Sequence, residues 1–198
     1  MDTKDVIRSI KRDLRLMMNG PASAAMRERG LVYKLNFGVE IPRIKEIAAQ
    51  YEAGSELASM LWKDGVRECR IMASILQPAD DFLPDMADVW VEDIGNIELA
   101  EQTVMNLFVR LPYAPGKAFL WMADEREYVQ TCGFLLAARL LMKGMELNSR
   151  AADELLDQAQ AAMEGDLYFP RKAAWLAVSK FAEQSDENAK KAAFLLQK

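Results

Sequence analysis

Five basic side chains near the amino terminus, Lys4, Arg8, Lys11, Arg12 and Arg15, fall within about 100° of arc if residues 3–18 are helical. Ile7, Ile10, Leu14, Met17 and Met18 form an apolar stripe beside them, and Asp2, Asp5 and Asp13 take the far side. Five cations in one row, with the acids set apart, suit an anion, and a phosphate backbone is the natural counterpart. A merely solvated face is the alternative. A second group of interest lies near the carboxyl terminus. On a helix over 169–183, Ala174, Ala177, Val178 and Phe181 form the core stripe. Trp175 points roughly 110° away from it, beside Lys172 and Ser179. An indole displaced towards a basic neighbour suits stacking on a nucleotide or sugar; packing against a neighbouring repeat is the other reading.

Other chemistries are excluded by what is missing. The chain of 198 residues contains no histidine, so neither a Ser-His-Asp nor a Cys-His nucleophile system is available, nor a His-rich metal site. It has no Gly-x-Gly-x-x-Gly and no P-loop. Cys69 and Cys132 lie inside apolar helical patterns and read as buried, reduced thiols. Ile71 to Val109 is free of Lys and Arg and holds Asp80, Asp81, Asp85, Asp88, Glu92, Asp93, Glu98 and Glu101. These acids read mostly as solvated, because they are spread over three elements without a calcium-loop spacing. No metal and no cofactor is expected.

Charge is uneven along the chain. Residues 1–75 carry 13 basic and 10 acidic side chains, residues 76–130 carry 3 and 11, and residues 131–198 carry 9 of each. An acidic total of −5 disfavours indiscriminate nucleic-acid binding but permits a local basic face. No run approaches the length of a membrane span, and the start Met-Asp-Thr-Lys-Asp is unlike a secretory signal, so a cytoplasmic location is expected.

The elements that must position these groups are helices. Apolar periodicity against Gly, Pro and Asn breaks predicts them at approximately 3–18, 22–30, 42–52, 55–63, 65–76, 82–93, 96–110, 114–123, 126–143 and 149–163. A further pair follows at approximately 169–183 and 186–197, and no convincing strand is present. The stretch Tyr33–Pro42 is an extended knot between helices, with Ile-Pro launching the next one. Helical pairs recur at a spacing of roughly 35–45 residues. The expectation is an all-α, single-domain superhelix of HEAT-like or armadillo-type repeats over residues 1–198, an α-α solenoid, with a plain helical bundle as the alternative.

Several segments carry a family resemblance. They are Asn36-Phe-Gly-Val-Glu-Ile-Pro-Arg-Ile-Lys-Glu-Ile-Ala48, Leu61-Trp62 followed by Arg67-Glu68, Phe119-Leu-Trp121 followed by Glu127–Phe134, and Phe169-Pro-Arg-Lys-Ala-Ala-Trp175 followed by Leu176–Ala182. In this order and separation they resemble the AlkD-like DNA alkylation repair family of HEAT-like repeat proteins, over about residues 30–185. The resemblance implies binding of double-stranded DNA, alkylated or plain, and hydrolytic excision of cationic N3- or N7-alkylpurines. Such a base already carries positive charge and leaves readily. The family's aspartate stabilises the developing oxocarbenium ion, and two tryptophans flank the nucleoside.

Carried onto this chain, the resemblance implies Trp175 and Trp90 as the tryptophans and Asp93 as the carboxylate. Counting back from Pro112 gives Asn96 as the alternative to Asp93. Phosphate contacts are expected from Lys4, Arg8, Lys11, Arg12, Arg15, Lys34, Arg43, Lys45, Arg171 and Lys172. The competing expectation is a non-catalytic repeat module that binds DNA or a protein partner.

Overall fold

The computed structural model describes residues 2–197. Among them are twelve α-helices and one 3-10 turn, and no strand forms; Leu35 and Val66 make an isolated bridge. The helices are α1 (Thr3–Leu16), α2 (Gly20–Glu28), α3 (Ile41–Ala48), α4 (Ser55–Lys63), α5 (Arg67–Leu76), α6 (Pro84–Glu92) and α7 (Ile97–Asn106). After the 3-10 turn Phe108–Arg110 come α8 (Ala114–Met122), α9 (Glu127–Met142), α10 (Ser149–Glu164), α11 (Tyr168–Ala182) and α12 (Asp186–Leu196). Local signals explain the starts. The side chains of Asp2, Asn19, Asn96, Asn148 and Ser185 each accept a backbone N–H of the helix that follows. Proline occupies the first turn of α2, α3 and α8, where its missing N–H costs nothing.

Contacts group the chain into two units, Met1–Met86 and Ala87–Lys198. The N-terminal unit buries Ile10, Leu14, Ile44, Ile47, Leu61, Trp62, Ile71 and Met72 between α1, α3, α4 and α5. The expected extended knot is present: residues 33–40 are non-helical, and Gly38 turns the chain at a φ of 74°. A Cβ at Gly38 would lie 2.1 Å from the Asn19 carbonyl oxygen, so the close approach admits only glycine. Helix α1 stops at Leu16 rather than continuing to Met18, and Met17 and Met18 are exposed instead of completing the apolar stripe.

In the C-terminal unit, α9 packs against α7, α8 and α11, while α11 packs against α9, α10 and α12. The α8–α9 contact is close enough that a Cβ on Gly133 would meet the Met122 amide nitrogen at 2.4 Å. Trp121 is buried, its ring centroid 4.9 Å from that of Phe108. Its indole N–H donates to Asp88 at 2.9 Å, and Lys117 reaches the other Asp88 oxygen at 2.5 Å. One acid of the basic-free stretch is therefore a structural strap. Trp62 in the N-terminal unit is buried under the Arg70 guanidinium, 4.4 Å from its ring centroid. Replacing either Trp62 or Trp121 by Ala should lower stability by roughly 3–5 kcal/mol, because each leaves a cavity in a packed layer. Urea denaturation of both variants checks this, and an unmoved midpoint would refute the packing role. Cys69 and Cys132 are free and buried, and desolvation raises both thiol pKa values, Cys69 to about 12. Neither is poised as a nucleophile.

Candidate functional site

Three helices of the C-terminal unit each turn one face to a shared cleft. On α11, Tyr168, Lys172, Trp175 and Leu176 are spaced i, i+4, i+7 and i+8, which places them on one side of the helix. Ala173, Ala174, Ala177, Val178 and Phe181 take the buried side. On α7, Ile97 and Glu101 are one turn apart, and on α9 Leu135 and Arg139 likewise. Ile97, Glu101, Leu135, Tyr168, Lys172 and Trp175 line a cleft of about 430 Å³. A second hollow, bounded by Met163, Tyr168, Arg171, Lys172 and Trp175, shares three of these residues. A third, with Arg139 and Gln102 in its wall, shares Glu101, Leu135 and Leu176 with the first. The result is a groove with Arg139 towards one end, Arg171 towards the other, and Lys172 and Trp175 between them.

The groove combines an aromatic surface with opposite charges. Trp175 is 51% exposed and Tyr168 is 61% exposed, unusual values for residues of that size. Tyr168 is steadied by Phe169, centroid to centroid 5.3 Å, and Phe169 by Tyr128 at 5.8 Å. The Lys172 ammonium lies 6.0 Å from the Tyr168 ring centroid. Burial raises the pKa of Glu101, and the charges of Lys172 and then Arg139 pull it back. An exposed carboxylate that shares a cleft with an open indole, and that feels the charges of Lys172 and Arg139, is suited to stabilising positive charge on a bound group.

The residues picked out from sequence are distributed unevenly over this geometry. Trp175, Lys172 and Arg171 line one hollow. Trp90 does not: only 2% of it is exposed, so it is a core residue of α6 with no face for a nucleoside. Asn96 is buried and spends its side-chain oxygen capping α7 through Leu99 N–H at 3.0 Å. Asp93 is exposed in the turn between α6 and α7, outside the residues that line the cleft. The carboxylate in the cleft is Glu101, which is exposed, as expected for the acids of this stretch, but was not picked out as a site residue. Its signal was one helical turn: the first residue of α7, Ile97, and Glu101 lie at i and i+4. Tyr168 and Arg139 were missed as well.

In the N-terminal unit, Lys4, Arg15, Lys34 and Lys45 are exposed, with Arg15 beside the Phe37 ring at 5.8 Å. Arg8, Arg12 and Arg43 make exposed ion pairs with Asp5, Asp13 and Glu46, so the acids of α1 are less segregated from its bases than the helical wheel suggests. Such pairs are weak and leave the guanidinium groups exchangeable. Lys11 differs: its part-buried ammonium is 2.5 Å from Asp64, which makes it a tie to the end of α4. Asp13 also accepts from the Tyr51 hydroxyl at 2.6 Å, which lowers the Asp13 pKa, while burial raises that of Tyr51 to about 12.

No group of three or more Cys, Asp or Glu side chains placed to hold a metal ion occurs among the described residues. No helix among them is long and apolar enough to cross a membrane.

Paired helices packed in succession, without a strand among the described residues, define a HEAT-like repeat protein. A solved structure described as "A new family of proteins related to the HEAT-like repeat DNA glycosylases with affinity for branched DNA structures" superposes with a TM-score of 0.82. The match covers 97% of this chain and 80% of that one at 18% identity, a likeness of fold. The family model described as DNA alkylation repair enzyme matches residues 10–193, and the chain belongs to that family. None of the curated proteins matches it.

Proposed function

We propose that the protein binds DNA through the groove formed by α7, α9 and α11 and excises cationic N3- or N7-alkylpurines from it. The observation that carries this reading is the convergence of Glu101, Lys172 and the exposed Trp175 on one cleft. A nucleoside whose base bears positive charge stacks on the Trp175 indole, whose face attracts cations. As the glycosidic bond stretches, positive charge moves onto the sugar, and the Glu101 carboxylate stabilises it and orients the attacking water. Bond cleavage needs no strong acid, because the alkylated purine departs as a neutral base. Arg139, Arg171 and Lys172 hold the phosphates on either side. On the N-terminal unit, Lys4, Arg15, Lys34 and Lys45 are exposed cations available to phosphate in their own right. Glu101 takes the carboxylate role that the family resemblance suggested for Asp93.

The test is release of 7-methylguanine from methylated duplex, run beside Asp93→Asn, which should behave as the unmodified protein. No release by the unmodified protein would sink the enzyme reading. Binding is measured in parallel across a salt series. Neutralising three phosphates in the groove gives a log–log slope of about −2.7. A second reading, binding without excision, is favoured by one observation. The cleft presents one exposed tryptophan rather than two, since Trp90 is buried. Salt-dependent binding without base release would select it.

A further inference from the structure

The proposed excision uses Lys172 only through its charge. Excision needs a carboxylate, a stacking surface and phosphate contacts, and guanidinium groups serve the last of these well. Yet the central cation is a primary amine, with Arg139 and Arg171 to either side. It lines both hollows that flank Trp175 and lies three residues from that indole on the same face of α11. Lys172 is exposed and, like several surface lysines, makes no salt bridge with a described carboxylate; what sets it apart is its place beside Trp175 in the cleft that also holds Glu101.

We infer that the protein also cleaves DNA at abasic sites, with Lys172 as the amine nucleophile and Glu101 as the base. The inference rests on the reading of this cleft as a nucleotide site. A missing base leaves a gap in the stack, and an indole fills such a gap by stacking on the neighbouring bases. With Trp175 so placed, the Lys172 amine emerges beside the sugar whose base is gone. That sugar opens to an aldehyde at C1′. Glu101 takes a proton from the Lys172 ammonium, and the freed nitrogen lone pair attacks C1′ as the carbonyl π pair moves onto oxygen. That oxygen then takes the proton from Glu101 and a second from the nitrogen and leaves as water, giving a protonated imine and an ionised Glu101. The imine acidifies the C2′ proton, which the Glu101 carboxylate accepts. The C2′–H electron pair becomes a C2′–C3′ double bond, and the C3′–O bond breaks with its electrons leaving on the phosphate. Water then hydrolyses the imine, restoring the lysine and releasing an unsaturated aldehyde on the 5′ fragment. No oxidant or reductant is consumed.

The experiment uses the full chain and a duplex in which one uracil has been removed enzymatically, so it does not depend on the protein's own excision activity. Borohydride added during incubation transfers hydride to C1′ of the imine and fixes protein to DNA as a secondary amine, read on a denaturing gel. The unmodified protein and Lys180→Ala should give the adduct, and Lys172→Ala and Lys172→Arg should not. Glu101→Gln separates the two steps: trapping persists, with water taking the Lys172 proton, while strand cleavage falls roughly 10²-fold. Lys172→Arg keeps the charge at an exposed position, so loss of the adduct in that variant cannot be assigned to misfolding or weaker phosphate binding. Absence of an adduct with the unmodified protein, or an undiminished one in Lys172→Arg, overturns the inference. Fluorescence anisotropy on abasic and methylated duplexes distinguishes the failures. Binding without trapping removes only the lyase step, whereas no binding to either duplex removes the nucleotide-site reading with it.

Discussion

Glu101→Gln is expected to lower 7-methylguanine release by roughly 10²–10³-fold, the usual effect of removing one stabiliser of transition-state charge. It should do so without lowering the melting temperature. The pKa of Glu101 is raised in the folded protein, first by burial, so the folded state holds its proton more tightly than the unfolded chain. Stability from this group therefore falls as pH rises through the window from the ordinary glutamate value of 4.5 to the higher folded one. Glu101 is exposed, so this contribution is small, and an amide of the same shape leaves the fold unchanged. A side chain retained for packing would behave in the opposite way.

The pH profile adds a second readout. Excision requires the ionised carboxylate, so its acid limb should sit above the ordinary glutamate range and be absent from the residual activity of Glu101→Gln. Lys172→Ala, which deletes the leading charge that lowers this pKa, should move the limb higher still. An acid limb indifferent to both substitutions, or release undiminished in Glu101→Gln, would transfer the role to another group. Trp175→Ala should weaken binding of methylated duplex more than it alters the pH profile, since the indole carries stacking rather than the charge.

These expectations show which parts of the molecule were legible in the sequence. The helices were legible because the apolar period of 3.6 and the Asn, Ser and Pro start signals agree with one another, as at Asn96, Asn148 and Ser185. Trp175 was legible because a large aromatic off the core stripe of an amphipathic helix has few structural uses. Glu101 was not, for a physical reason. Its partners Leu135, Arg139, Lys172 and Trp175 lie on two other helices, 34 or more residues away, and nothing local marks the α7 face as an inner one. Motif spacing drew attention to Trp90 and Asp93, but the helix phase of α6 turns the indole inward. Spacing along the chain fixed neither residue's face. Lys11 shows the same limit, since its place in a row of five cations gave no hint of Asp64.

The second large effect is expected in the N-terminal unit, where Glu68→Ala should cost roughly 3–5 kcal/mol of stability. Arg67 and Glu68 open α5 and are 1% and 0% exposed. The two Glu68 oxygens accept the Phe37 and Val39 N–H groups, each at 3.1 Å. Arg67 donates to the Val39 carbonyl at 2.8 Å and to Glu68 at 2.9 Å, and its own backbone N–H donates to Leu35 O at 2.9 Å. This clamp fixes the extended residues around Gly38, whose left-handed turn could not otherwise satisfy its buried amides. Removing the carboxylate takes the acceptors from the buried Phe37 and Val39 N–H groups and the Glu68 partner from the buried Arg67 guanidinium. Glu68→Gln keeps one acceptor and should fall between, and Arg67→Met with Glu68→Leu should recover part of the loss by removing the buried charges together. Urea midpoints of the four proteins decide the matter. Equal midpoints for Glu68→Ala and the unmodified chain would mean that Asn19, Ser23 and Asn36, which also bond residues 36–38, suffice to hold the turn.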